Sequence, residues 1–252
     1  MDVQPDSRPA PTLHHLSSSQ SFRILWALEE LSIAHGQPYA LKTYKREKGR
    51  APAALQKIFP LGKSPILEIK GIDDFRPQNM PVPNGKKRTI VTESRLILQY
   101  LADHYSHGIW RPSSDDRDRD LYWQEFANCT LAPIVDRILC FDLVPPHTSW
   151  LIRPLMWAIF GPIARLFEKD LAAPFALMET ALSTEKPWFA GSKLGLADFC
   201  LSWPIDVASQ RGYFRPERYP KVAEWLERVH GREAYRRAIA KGGSYDLVTF
   251  DF

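Results

Sequence analysis

Four serines in a row of five residues, Ser17-Ser18-Ser19-Gln20-Ser21, stand between a short apolar stretch and a helix-like run. A helix N-terminus presents unpaired backbone N–H groups and a positive dipole end, so a turn there stabilises an anion. A free thiol with a pKa near 8.5 is only about 3% thiolate at pH 7, and the thiolate is the nucleophile. Lowering that pKa by about two units takes roughly 2.7 kcal/mol of selective stabilisation. The helix end supplies about 0.3–1 kcal/mol and a hydroxyl donating to the anion roughly 1.5–3 kcal/mol. In combination a serine there suffices to activate a bound thiol. The same residues also fit a purely structural role, because Ser17-x-x-Gln20 satisfies a capping box and serine is a favoured N-cap.

Two further groups follow. Lys63-Ser64-Pro65 lies just ahead of a β-like run. A cis bond before Pro65 would turn the Ser64 N–H and C=O outward as an unused strand edge for a peptide ligand, whereas a trans bond would simply lead into an edge strand. Thr92-Glu93-Ser94 opens a helix-like run. Its free N–H groups and the Ser94 hydroxyl could hold a carboxylate while Glu93 accepts from an ammonium, or the acid could merely cap the first turn.

The elements that position these groups can be read from periodicity and turn residues. Strands are expected at 12–16, 39–42, 66–69 and 88–91, and helices at 22–32, 52–59 and 93–105. The order βαβαββα implies a compact mixed sheet with helices packed on it. Residues 71–87, with three prolines, two glycines and no periodicity, read as an exposed loop. After a linker near 106–114 every run is helical. Val222, Trp225, Leu226 and Val229 form an apolar stripe on a helix that begins after Pro220. Two domains are therefore expected, 12–105 and 117–245. In the helical half, 143–160 carries three prolines and two tryptophans, unusual for a plain core helix and suited to walling an apolar pocket.

Composition removes other classes. The 252 residues carry a net charge of +4 with acids and bases interspersed, unlike the basic stripe of a nucleic-acid binder. Cys129, Cys140 and Cys200 form no CxxC pair, which favours free thiols in a reducing compartment over a disulfide framework or a zinc site. The N-terminus lacks a signal-peptide core, and the apolar run at 150–167 is broken by Arg153, Pro154, Pro162 and Arg165, too short for a membrane span. No metal, nucleic-acid or transmembrane role is expected, and the localisation read from this is cytoplasmic.

Taken in order, the three groups match a tripeptide: an amino-acid head for Glu93-Ser94, a peptide middle for Ser64, a thiol for the serine turn. The chain here resembles the glutathione transferases, within them the fungal and bacterial branch with a serine at the active site. LGKSPIL followed by TESRLILQYL, then FAGSKLGLADF and YPKVAEWLERVHGREAYRRAIAKGG, carry the resemblance from Thr12 to about Gly243.

The resemblance implies a thioredoxin-like first domain, an all-helical second domain, glutathione as co-substrate, a homodimer and an apolar electrophilic second substrate. It further implies a cis Pro65, Ser64 on the cysteinyl backbone, Glu93 and Ser94 on the γ-glutamyl end, and Lys63 on a carboxylate. The spacing to Arg23 puts Ser19 first as the residue facing sulfur, ahead of Ser18 and Ser17. Two departures from the pattern stand out: Gly195 replaces the usual hydroxyl residue three positions before Asp198, and 71–87 is longer than the usual hairpin. The expected activity is conjugation, or glutathione-dependent cis–trans isomerisation of a conjugated olefin, in detoxification or fungal secondary metabolism. The alternative is a non-catalytic glutathione-fold module in protein assembly or regulation.

Overall fold

The computed structural model describes residues 8–47, 49–72 and 88–250. Most of the 71–87 loop expected from sequence therefore lies outside the described residues. The chain divides into two compact units, residues 1–111 with 229–252, and residues 112–228.

The first unit is built on a four-stranded sheet ordered β2-β1-β3-β4, with β1 at Thr12–Leu16, β2 at Ala40–Tyr44, β3 at Ile66–Lys70 and β4 at Arg88–Thr92. β1 runs parallel to β2 and antiparallel to β3, and β3 is antiparallel to β4. The inner strand β1 is buried along its whole length, while the edge strand β2 has only exposed and half-buried residues. Helix α1, Phe22–His35, follows β1. Its residues from Phe22 to Leu31 are all buried, so it is a core helix rather than an amphipathic surface one. It ends at Gly36, whose φ of +67° supplies the left-handed C-cap. Helix α2, Ser94–His104, follows β4.

The helix expected at 52–59 is shortened to a single 3-10 turn, Ala53–Leu55. Its apolar residues still anchor it, since Leu55 and Phe59 pack with Ile66 in one small cluster. Pro52 and Pro60 leave little length over which helical hydrogen bonds could repeat. Helix α9, Glu233–Gly242, belongs to this unit and packs against α1. Helical periodicity alone does not say which core a terminal helix joins.

Buried polar groups in the sheet satisfy one another. His14 Nδ1 lies 2.9 Å from the Tyr44 hydroxyl and Nε2 3.4 Å from Glu68, which in turn pairs with Arg88 at 3.2 Å. One residue from each of the four strands thus joins a hydrogen-bonded row, which offsets the cost of burying His14 completely.

The second unit contains α3 Arg117–Phe126, α4 Ala132–Leu143, α5 Arg153–Glu168, α6 Ala172–Ala181, α7 Leu196–Gln210 and most of α8, Pro220–His230. A π-turn at Ala127–Leu131 joins α3 to α4. Helix α7 is the core helix, buried from Leu196 to Ala208. Asp198 sits inside this core and accepts from the backbone N–H groups of Phe189 at 2.8 Å and Gly195 at 3.1 Å, and from Trp225 Nε1 at 2.8 Å. Burial pushes its carboxyl up to about 6 against the pull of these donors.

The N-terminus of α7 solves the problem that Gly195 poses. Asp120 on α3 accepts from the Ala197 N–H at 2.9 Å, the hydrogen bond that an N-cap hydroxyl would otherwise make. A Cβ at Gly195 would lie 2.5 Å from the Ala190 Cβ, so a side chain does not fit there.

Candidate functional site

Strand register brings the three sequence groups to one end of the sheet. Ile66 of β3 pairs with His14 on one side and Thr92 on the other. Ser64 lies two residues before Ile66, the serine turn begins three residues after His14, and Glu93-Ser94 follow Thr92, so the three groups leave the sheet at the same end. The serine turn follows Leu16 directly. One contact is explicit: the Ser64 hydroxyl donates to the His14 carbonyl at 2.9 Å and accepts from the Leu16 N–H at 3.1 Å.

The serine turn is tightly bonded. Ser17, Ser18 and Ser19 are 4%, 0% and 7% exposed, so each hydroxyl has to find an internal partner. The Ser17 hydroxyl donates to the Tyr44 carbonyl at 3.2 Å, an acceptor it shares with its own N–H at 3.0 Å. Ser18 adopts a left-handed φ of +49°. The Ser19 hydroxyl has two acceptors, the Leu16 carbonyl at 2.7 Å and the Ser21 hydroxyl at 2.8 Å. Ser21 rather than Ser17 is the N-cap of α1, and its side chain makes no capping bond. The capping box read from Ser17-x-x-Gln20 does not form, because the helix starts one turn later than that pattern requires. Among the described residues, the backbone N–H groups of Ser19 and Gln20 have no hydrogen-bond partner, and they lie where a helix start favours negative charge.

His15 decides where the proton of Ser21 goes. Its Nε2 lies 3.1 Å from the Gly242 carbonyl, which can only accept, so Nε2 carries the ring proton. Burial lowers the His15 pKa to about 4, leaving the ring neutral and Nδ1 an acceptor. Ser21, 2.7 Å from Nδ1, therefore donates its proton there and receives from the Leu16 N–H at 3.1 Å. The sequence assigns no role to His15, and it shows Ser21 only as one member of the serine cluster. The signal available was a pair of histidines in an otherwise apolar strand.

The other two groups offer unused polar atoms. The Ser64–Pro65 bond is cis, as the resemblance implied. Among the described residues neither the N–H nor the C=O of Ser64 is hydrogen-bonded. Lys63 is exposed and has no ion-pair partner among the described residues. Glu93 is exposed, with φ +67° and ψ 115°, a conformation that costs a non-glycine residue on the order of 1–3 kcal/mol and concentrates at ligand sites. Ser94 opens α2, and neither its N–H nor its hydroxyl is bonded among the described residues. An acceptor carboxylate at Glu93, donors at Ser94 and an open peptide edge at Ser64 fit the head and middle of a γ-glutamyl peptide.

The cysteines stand apart from this cluster: Cys129 and Cys140 are exposed and Cys200 is buried, all in the helical unit. No cluster of metal-ligating side chains occurs among the described residues, and no described helix is long and apolar enough to cross a membrane.

A thioredoxin-like sheet followed by a helical unit, with this polar end, defines a class, and comparison with known proteins agrees. The N-terminal domain profile of glutathione S-transferases matches residues 17–104 and the C-terminal domain profile matches residues 164–233. Glutathione S-transferase 3 of Schizosaccharomyces pombe is 31% identical over 249 residues, covering 94% of this chain and 90% of that protein. Glutathione S-transferase 1 of Saccharomyces cerevisiae is 29% identical over 242 residues, covering 93% and 96%. A glutathione S-transferase of Actinobacillus pleuropneumoniae superposes with a TM-score of 0.66 at 28% identity, covering 94% of this chain and 95% of that one. A glutathione transferase of Phanerochaete chrysosporium, crystallised with oxidised glutathione, has the same fold at a TM-score of 0.66 and 21% identity, covering 94% and 96%. The chain belongs to the glutathione S-transferase family, which uses glutathione as co-substrate.

Proposed function

We propose that this protein binds glutathione at the end of the sheet and activates its thiol toward an apolar electrophile. The observation that carries the reading is the register that pairs Ile66 with both His14 and Thr92, which brings the serine turn, Ser64 and Glu93-Ser94 to one end of the sheet. In this reading Glu93 accepts from the γ-glutamyl ammonium and Ser94 donates to its carboxylate. The N–H and C=O of Ser64 pair with the cysteinyl residue beside Pro65, and Lys63 neutralises a carboxylate.

Glutathione supplies the nucleophilic sulfur, and the chain's task is to hold that sulfur ionised. The N–H groups of Ser19 and Gln20 and the first turn of α1 face the charge. Ser19 donates to it by turning its proton away from the Leu16 carbonyl. Ser17 and Ser18 are the next candidates. The thiol proton leaves to water.

Two outcomes use the same residues. In conjugation a new S–C bond forms at the electrophilic carbon, and either a leaving group departs with the electron pair or the neighbouring carbon of a conjugated olefin takes a proton. In isomerisation the S–C bond forms, the former double bond rotates, and the S–C bond breaks again. The exposed tryptophans of the 143–160 stretch, Trp150 and Trp157, at 74% and 46%, are suited to meeting an apolar second substrate. A detoxifying or secondary-metabolic role in the cytoplasm fits either outcome. The non-catalytic alternative is disfavoured by retention of every hydroxyl in the turn.

Mass analysis of products from candidate enones and polyenes separates the cases. A gain of one glutathione is expected for conjugation, and an unchanged mass at a shifted retention time for isomerisation. No product with any electrophile, despite bound glutathione, would leave the non-catalytic module standing instead.

A further inference from the structure

The serine turn is gripped by the far end of its own chain. Ser18 donates both its N–H, at 3.0 Å, and its hydroxyl, at 3.2 Å, to the Ser244 carbonyl, while its oxygen accepts from the Asp246 N–H at 3.1 Å. Arg46 donates to the Ser18 carbonyl at 3.2 Å and lies over the Phe250 ring at 5.7 Å. Tyr245 stacks on Phe22, the first residue of α1, with ring centroids 3.9 Å apart. One turn earlier, the Gly242 carbonyl takes the His15 proton that orients Ser21. The approach is close: a Cβ at 242 would lie 3.0 Å from Leu25 Cδ2 and 3.1 Å from His15 Nε2, so any larger residue would press on the His15 ring.

The segment is itself anchored. Leu247 and Phe250 are buried, and Asp246 accepts from the N–H groups of Val248 and Thr249 at 2.8 and 3.1 Å. It is a folded strap, and its backbone holds Ser18 in the left-handed conformation that a serine adopts only under constraint. That conformation in turn sets the direction of the next two N–H groups, those of Ser19 and Gln20. The head and middle of the tripeptide, by contrast, would rest on Ser64, Glu93 and Ser94, none of which shares a hydrogen bond with the strap among the described residues.

We propose that the strap 242–250 is a positioning element for thiol activation, with Ser18 as the residue through which it acts. This rests on the functional reading above. It assigns Ser18 to holding the turn rather than to facing sulfur, and it separates two quantities: binding of the tripeptide, which the strap leaves alone, and ionisation of its thiol, which the strap supports.

The test compares the full chain with a chain ended after Gly243 and with Ser18→Ala, which removes the hydroxyl bonds at full length. Glutathione affinity is measured by calorimetry, thiol ionisation by thiolate absorbance against pH, and turn order by amide exchange at Ser19 and Gln20. The expected result is affinity within about threefold of the full chain, faster exchange at both amides, and a bound-thiol pKa higher by about one unit, a tenfold lower ratio of thiolate to thiol at a given pH. Ser18→Ala should shift in the same direction by less, and it remains informative if the shortened chain does not fold. A wild-type thiol pKa in Ser18→Ala with glutathione bound overturns the proposal, as does a shortened chain that ionises the thiol better, the result expected of a mere cover. Failure of the full chain to bind glutathione is a different outcome, and it overturns the functional reading itself.

Discussion

At Ser19 the hydroxyl proton already has two good acceptors within the fold, at 2.7 and 2.8 Å. Donation to a thiolate means exchanging one of these for a charge-assisted bond. The new bond is worth roughly 1.5–3 kcal/mol and the neutral one given up about 0.5–1.5 kcal/mol. The net, on the order of 1.5 kcal/mol, corresponds to about one pKa unit. Ser19→Ala should therefore raise the pKa of bound glutathione by about one unit and cut turnover several-fold at neutral pH, with affinity nearly unchanged. Titration of thiolate absorbance in alanine variants of Ser17 and Ser19 ranks the two. If neither variant departs from wild type, the backbone N–H groups carry the activation alone. The serine cluster was legible in the sequence because hydroxyls at a strand-to-helix junction have a clear chemical use. The partners of those hydroxyls were not legible: Tyr44, Gly242 and Ser244 are brought in by tertiary folding, and no local pattern announces them.

Among the elements, the start of α7 shows how a local signal can mislead. Gly195 reads from sequence as a missing cap, yet the cap is present and arrives from α3 as Asp120. Asp120→Ala should cost about 1–2 kcal/mol, the penalty for losing a cap and leaving a buried N–H unpaired. Gly195→Ser, which restores the familiar pattern, should destabilise as well, because the new Cβ would clash with Ala190. Urea unfolding of both variants checks this, and a Gly195→Ser protein more stable than wild type would contradict it. The strands and α1, α2 and α8 were readable to within a few residues from periodicity and proline positions. The 3-10 turn at Ala53–Leu55 was not, since an apolar spacing that suits a helix cannot reveal how few turns the flanking prolines permit.

For the whole molecule, the helical unit leaves large apolar side chains in water: Leu121 and Tyr122 on α3 are 50% and 52% exposed, and Leu155 and Leu166 on α5 are 56% and 59% exposed. Apolar surface of this kind favours association. We propose a homodimer, as the family resemblance implied. Sedimentation at micromolar concentration should give twice the 28.9 kDa chain mass, and a species of single-chain mass alone would contradict it. Binding of glutathione at the end of the sheet underlies every role assigned above, and calorimetry on the full chain and on Glu93→Ala measures it. Saturable binding of glutathione at up to millimolar concentration is expected, with an upward shift of the thermal midpoint by mass action and about a tenfold or greater loss of affinity in Glu93→Ala. No heat of binding and no shift in the full chain, or equal affinity in the variant, would contradict it.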